Sequence, residues 1–133
     1  MPYLKIYAPD FSFEQKKIMA AELTDCIALA LDLPEAERDR ITIHFMPYRL
    51  ENMAIGGRLL SETEEPDYHL EFYDAALTQP KKEKLLRHLT PLMLEQLGLS
   101  PSGAGRLNIL FRACQPDDLA IGGQFPGASQ EGI

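Results

Sequence analysis

From Tyr3 to Gly57 the chain can be laid, without a gap, on its own continuation from His69 to Gly123. ITIHFMPYRLENMAIGG then falls on LNILFRACQPDDLAIGG, and YLKIY falls on HLEFY. Leu4/Leu70, Tyr7/Tyr73, Leu23/Leu89, Thr24/Thr90, Arg40/Arg106 and the whole of AIGG are identical between the copies. A duplicated unit restricts the fold strongly: what one copy forms the other forms too, and each needs a neighbour to bury its apolar face. With 133 residues, 45% of them apolar, there is room for one compact domain and not for two independent ones. We read residues 1–133 as a single domain with repeats 2–57 and 68–123. An acidic linker, 58–67 (RLLSETEEPD), joins them, and a tail, 124–133, is expected to be mobile.

Each copy follows the same local order. YLKIYA and HLEFYD alternate as strands, with Leu4 and Ile6 on one face and Tyr3, Lys5 and Tyr7 on the other. A helix follows, striped by Met19, Leu23, Cys26, Ile27 and Ala30 in the first copy and by Leu85, Leu89, Leu92 and Met93 in the second. ITIHF and LNILF, rich in branched and aromatic residues, make the second strands. Strand, helix and strand in so short a span argue a right-handed βαβ unit with parallel strands. The expected fold is α+β: two tandem βαβ units forming a four-stranded mixed sheet with two helices on one face. The opposite face then presents Arg40, His44, Arg106 and Arg112, and a one-layer sheet with such a face calls for self-association.

Charge and cysteine content narrow the partners. Thirteen basic against 20 acidic residues leave a net charge of -7, which works against nucleic acid and anionic membrane surfaces as partners. No apolar run approaches the ~20 residues that span a bilayer. Cys26 and Cys114 show no paired spacing, and no stretch reads as a signal peptide, so a cytoplasmic location is expected. His44, His69 and His88 lack a metal-ligand spacing, so no metal site is expected. The paired glycines 56–57 and 122–123 read as tight turns, without the lysine and helix of a phosphate loop.

Pro2 stands at the head of the first strand. Proline has no amide proton and is tolerated there, which is one explanation. The other is chemical: removal of Met1 would leave a rigid secondary amine able to accept or donate a proton. With EQKK opening the helix, LDLP closing it, RITIHFM as the next strand and MAIGG after it, the chain resembles the tautomerase superfamily. The first copy is similar to 4-oxalocrotonate tautomerase, and the two together look like a fused, two-unit member with a tautomerase/MIF-like fold over roughly residues 2–123.

The resemblance implies a cofactor-independent tautomerase, an isomerase interconverting enol and keto forms of a small carboxylate, with Pro2 as general base or acid. Hydration, dehalogenation or decarboxylation through a protonated Pro2 is the same-fold alternative, and a non-catalytic trimeric binding protein is another. Fused members form trimers, so the resemblance implies a homotrimer. Pro2 has Tyr68 as its internal counterpart, which leaves one such site per protomer.

Carboxylate substrates make arginine the natural partner, because its fork gives two hydrogen bonds. Arg40 matches a family arginine that binds substrate from a neighbouring subunit, and Arg106 is its copy; Arg112 is a further candidate. Met53 matches an aromatic that walls the family's pocket, with Leu119 as its equivalent. Each of these also reads as an ordinary surface charge or packing residue. Two departures stand out. Asp10, Phe11 and Ser12 replace a family arginine before the helix, and DAALTQ takes the place of the arginines that fused dehalogenases and decarboxylases carry after the third strand. A retained Met1 would abolish the amine chemistry. Water-activating chemistry would need a carboxylate, for which Glu51 and Asp117 are the sequence candidates.

Overall fold

The computed structural model describes residues 1–125. In chain order it runs β1 (Tyr3–Ala8), α1 (Phe13–Ala30), α2 (Glu35–Arg38), β2 (Thr42–Pro47), β3 (Ala54–Ile55), β4 (Arg58–Leu59), α3 (Leu60–Thr63), β5 (Tyr68–Ala75), α4 (Gln79–Leu97) and β6 (Leu107–Cys114). Four strands form one sheet in the order β2-β1-β5-β6. β1 pairs with β2 and β5 with β6 in parallel, while β1 and β5 meet antiparallel at the centre. This is the α+β, mixed-sheet architecture expected from the repeat.

The alternation in β1 decides its faces. Leu4, Ile6 and Ala8 are buried, as are Leu70 and Phe72 of β5, while Tyr3, Lys5 and Tyr7 look the other way. Against the buried parity lie Met19, Leu23, Ile27 and Ala30 of α1 and Leu85, Leu89 and Met93 of α4. Ile41, Ile43 and Phe45 in the first copy, and Leu107, Ile109 and Phe111 in the second, close the flanks of this core. Each fully buried aliphatic side chain here contributes about 1.5–3 kcal/mol. Cys26 and Leu92, members of the two helical stripes, are only partly buried at the edge of the core, and burial raises the Cys26 thiol pKa.

The helices start at capped residues. Ser12 Oγ accepts the Gln15 N–H at 3.1 Å, and Thr78 Oγ1 accepts the Lys81 N–H at 3.4 Å. α4 stops at Gly98, whose φ of 65° suits glycine at a helix C-terminus. Between the copies, Gly56 and Gly57 at φ 61° and 81° form the turn of a β3–β4 hairpin. Residues 58–67, read as a connector, thus begin inside a hairpin and continue into α3, where Leu60 is buried. Gly122 and Gly123 repeat the turn, and Ile121 and Gln124 bridge across it. Residues 126–133, most of the expected tail, lie outside the described residues. No helix among the described residues is long and apolar enough to cross a membrane.

Candidate active site

Pro2 is buried at the start of β1, its carbonyl accepting the Thr42 N–H at 3.1 Å. That bond extends the β1–β2 ladder by one residue and holds Pro2 at the end of the sheet, beside the turn that carries Arg40 into β2. On the other side stands β5. Tyr3 opposes Tyr73 in the antiparallel register, so Pro2 comes opposite Asp74. A cavity of about 630 Å³ opens here, lined by Pro2, Lys5, Arg40, Tyr73, Asp74 and Leu119 among others. Its walls come from both copies: β1 and the approach to β2 from the first, the ends of β5 and β6 and the turn after them from the second.

Charged and aromatic side chains share the lining with a larger apolar surface. Lys5 Nζ sits 5.5 Å from the Tyr73 ring centre and 5.8 Å from that of Tyr3, which places its charge over two aromatic faces. Tyr73 donates its hydroxyl to Glu71; that bond pushes the phenol above its ordinary range, burial adds to the rise, and Arg112 opposes it. Leu119 and Ile121, 38% and 49% exposed, supply a hydrophobic lip. Cys114 at the end of β6 and Asp118 complete the second-copy wall. Asp118 Oδ2 accepts the Gln115 N–H at 2.9 Å, fixing the turn that carries Leu119.

The sequence candidates separate into two groups. Pro2, Arg40 and Leu119 meet at this cavity. Arg106, Arg112 and Met53 do not line it within the chain. Arg106 pairs with Glu65 at 3.6 Å at the far end of the sheet, and Arg112 sits across from Tyr73 on the open face. The Met53 carbonyl accepts the Leu60 N–H at 2.9 Å at the base of the β3–β4 hairpin. Among the carboxylate candidates, Glu51 pairs with Arg49 at 3.6 Å away from the cavity, and the cavity takes Asp118 in place of Asp117.

The cavity carboxylate that the sequence reading missed is Asp74. Its Oδ1 lies 3.1 Å from the terminal nitrogen of Met1 and also accepts the Ala75 N–H at 2.8 Å; the side chain is 15% exposed. In sequence it was only the first letter of DAALTQ, noticed for the arginines that stretch lacks. The 66-residue shift sets it against Ala8, so the repeat carried no signal for it.

No family model matches the chain, and no curated protein matches it in sequence. The likeness is structural. Native Fused 4-OT superposes with a TM-score of 0.82 over 97% of this chain and 99% of that one, at 17% identity. F6 fused 4-OT, an asymmetric trimer, gives 0.78 over 96% and 98% at 21% identity. Pt0534, inactivated by 2-oxo-3-pentynoate, gives 0.78 over 97% and 98% at 13% identity. The chain therefore shares its fold with these structures. More narrowly, it has the fused, two-unit 4-OT form of that fold along nearly its whole described length.

Proposed function

We propose that the chain is a cofactor-independent tautomerase of the tautomerase superfamily acting on a small enolisable keto acid, with Pro2, freed of Met1, as proton shuttle. The observation that carries this reading is a buried Pro2 in a cavity whose wall also holds Arg40. The amine of Pro2 takes the proton from the enol oxygen, and the resulting pyrrolidinium returns it to carbon, so no other group is consumed. Arg40 grips the carboxylate with its fork, and Leu119 and Ile121 exclude water from the reacting end.

We further infer a cytoplasmic homotrimer. The sheet face opposite the helices carries Tyr3, Lys5, Tyr7, His44 and a 48% exposed Leu110, a surface suited to packing against further copies. Any part that Arg106, Arg112 or Met53 takes in binding substrate then belongs to a neighbouring copy's cavity. A second reading is favoured by Asp74, whose carboxylate beside the chain terminus suits a protonated Pro2. In that reading the pyrrolidinium acts as the acid in hydration, dehalogenation or decarboxylation of an unsaturated carboxylate.

Intact mass and turnover test the proposal together. The native protein is expected to begin at Pro2, to accelerate ketonisation of a simple enolpyruvate, and to be labelled at Pro2 by 2-oxo-3-pentynoate. A chain that keeps Met1, or one that begins at Pro2 yet shows neither turnover nor label, is a binding protein instead.

A further inference from the structure

Four observations converge on one residue outside the shuttle itself. The antiparallel register pairs Leu4 with Phe72 and ends at Tyr3 with Tyr73; continued by one residue it sets Asp74 across from Pro2. Facing positions on neighbouring strands lie roughly 4.5–5.5 Å apart at Cβ. The carboxylate already holds the chain's terminal ammonium, 3.1 Å away on Met1. Loss of Met1 moves that charge by at most one residue step, ~3.8 Å, which leaves it within about 7 Å of the Asp74 carboxylate. The Ala75 N–H fixes Oδ1 at 2.8 Å, so the carboxylate is oriented without help from the terminus. At the opposite end of the sheet the same register sets Ala8 across from Tyr68, so strand geometry alone does not require an acid at this position.

We propose that Asp74 is the built-in counter-ion of the mature chain's first residue, a carboxylate lent by the second copy that pairs with the Pro2 ammonium and positions its proton over the cavity. This rests on the reading that the mature chain begins at Pro2. The charged and titratable groups that line the cavity with Pro2 are Lys5 and Tyr3 on β1, Arg40 before β2, Tyr73 and Asp74 on β5, Cys114 at the end of β6, and Asp118 beyond it. Lys5 and Arg40 disfavour a second positive charge; Asp74 and Asp118 favour it. Asp74 outweighs the others because it stands opposite Pro2 and is held in place by the Ala75 N–H, whereas Arg40 is exposed. Asp74 is a positioning residue: it sets which protonation state of Pro2 meets the substrate.

The test is a titration of the Pro2 nitrogen by its 15N shift in the full chain, shown by intact mass to start at Pro2. An opposite charge at this range favours the charged amine by about one to three pKa units, so Asp74→Asn is expected to lower the Pro2 midpoint by roughly one unit or more. Asp74→Glu is expected to restore most of the shift, and Asp118→Asn to move it less. Asp74→Ser keeps an oxygen for the Ala75 N–H while removing the charge, and serves if the asparagine variant does not fold. An unchanged midpoint in the charge-free variants overturns the pairing, as does a native chain that keeps Met1. A shifted midpoint without turnover leaves the pairing intact and removes the tautomerase reading; turnover with an unshifted midpoint does the reverse.

Discussion

The two ends of the central strand pair are built from the same unit, yet one is open and the other is filled. At the open end Pro2 faces Asp74, Arg40 enters the cavity wall without an ion pair among the described residues, and small Cys114 ends β6. At the other end the counterparts are Tyr68, Ala8, Arg106 and Tyr48. There the Tyr48 hydroxyl donates to the Asp67 carbonyl and accepts the Asp67 N–H at 3.1 Å, so the larger ring is tied to the strand entrance where Cys114 leaves space. Arg106 lies 3.6 Å from Glu65, its buried Nη2 making no hydrogen bond among the described residues. Asp67 is further held by His69 at 2.7 Å and by Asn108 at 3.2 Å. Burial raises the phenol pKa of both Tyr48 and Tyr68, with Arg106 opposing the rise in each. Duplication thus preserved the scaffold at both ends, arginine included, and three substitutions (Pro2 for Tyr68, Asp74 for Ala8, Cys114 for Tyr48) distinguish the end that holds the cavity.

The sharpest way to break this comparison is to remove the reactive residue at each end in turn. With chemistry confined to the open end, Pro2→Ala is expected to reduce the ketonisation rate on the order of 10²–10⁴-fold, the usual contribution of a positioned acid or base. Tyr68→Phe is expected to leave the rate unchanged. A loss of the same size from both would show that the filled end shares in the chemistry.

The arginine copies give the next contrast. Charge-assisted hydrogen bonds contribute about 1.5–3 kcal/mol, so Arg40→Ala is expected to lower kcat/KM by roughly one to two orders of magnitude. Arg106→Ala, which inside the chain removes the contact with Glu65 and the charge beside Tyr48 and Tyr68, is expected to leave kcat/KM within a much narrower range. Steady-state kinetics on the same enolpyruvate decides between them, and an effect of Arg106 equal to that of Arg40 would place Arg106 in a neighbouring copy's site. The smallest effect concerns packing. Tyr48→Phe removes one hydroxyl that both donates and accepts, and is expected to cost about 1 kcal/mol in urea unfolding with turnover intact. A gain in stability would mean that the Asp67 bonds do not seal this end.

Much of the architecture could be read along the chain. The period-two pattern of Leu4 and Ile6 assigned the buried face of β1, and the helical stripes from Met19 to Ala30 and from Leu85 to Met93 assigned the faces that cover it. These are local regularities, and local regularities survive in a string of letters. Pro2 could be nominated from the motif, Arg40 from motif and repeat together, and Leu119 as the repeat counterpart of Met53. Met53 was nominated by the motif, Arg106 by the repeat and Arg112 by strand alternation, and the chain's own fold does not bring them to Pro2. Sequence spacing says which strand end a residue occupies, and not which of the two ends receives the first residue of the chain.

What the sequence by itself determined was the unit: its strands, its helix, its glycine turn, its duplication, and a proline where a terminal amine would lie. What only the tertiary structure decided was the relation between units. The antiparallel meeting of β1 and β5 is set by how two apolar sheet faces and two helices share one core, a balance of burial summed over both copies and invisible in either. That register brings residue 74 across from residue 2 and makes a carboxylate from the second copy the nearest acid to the chain's first residues.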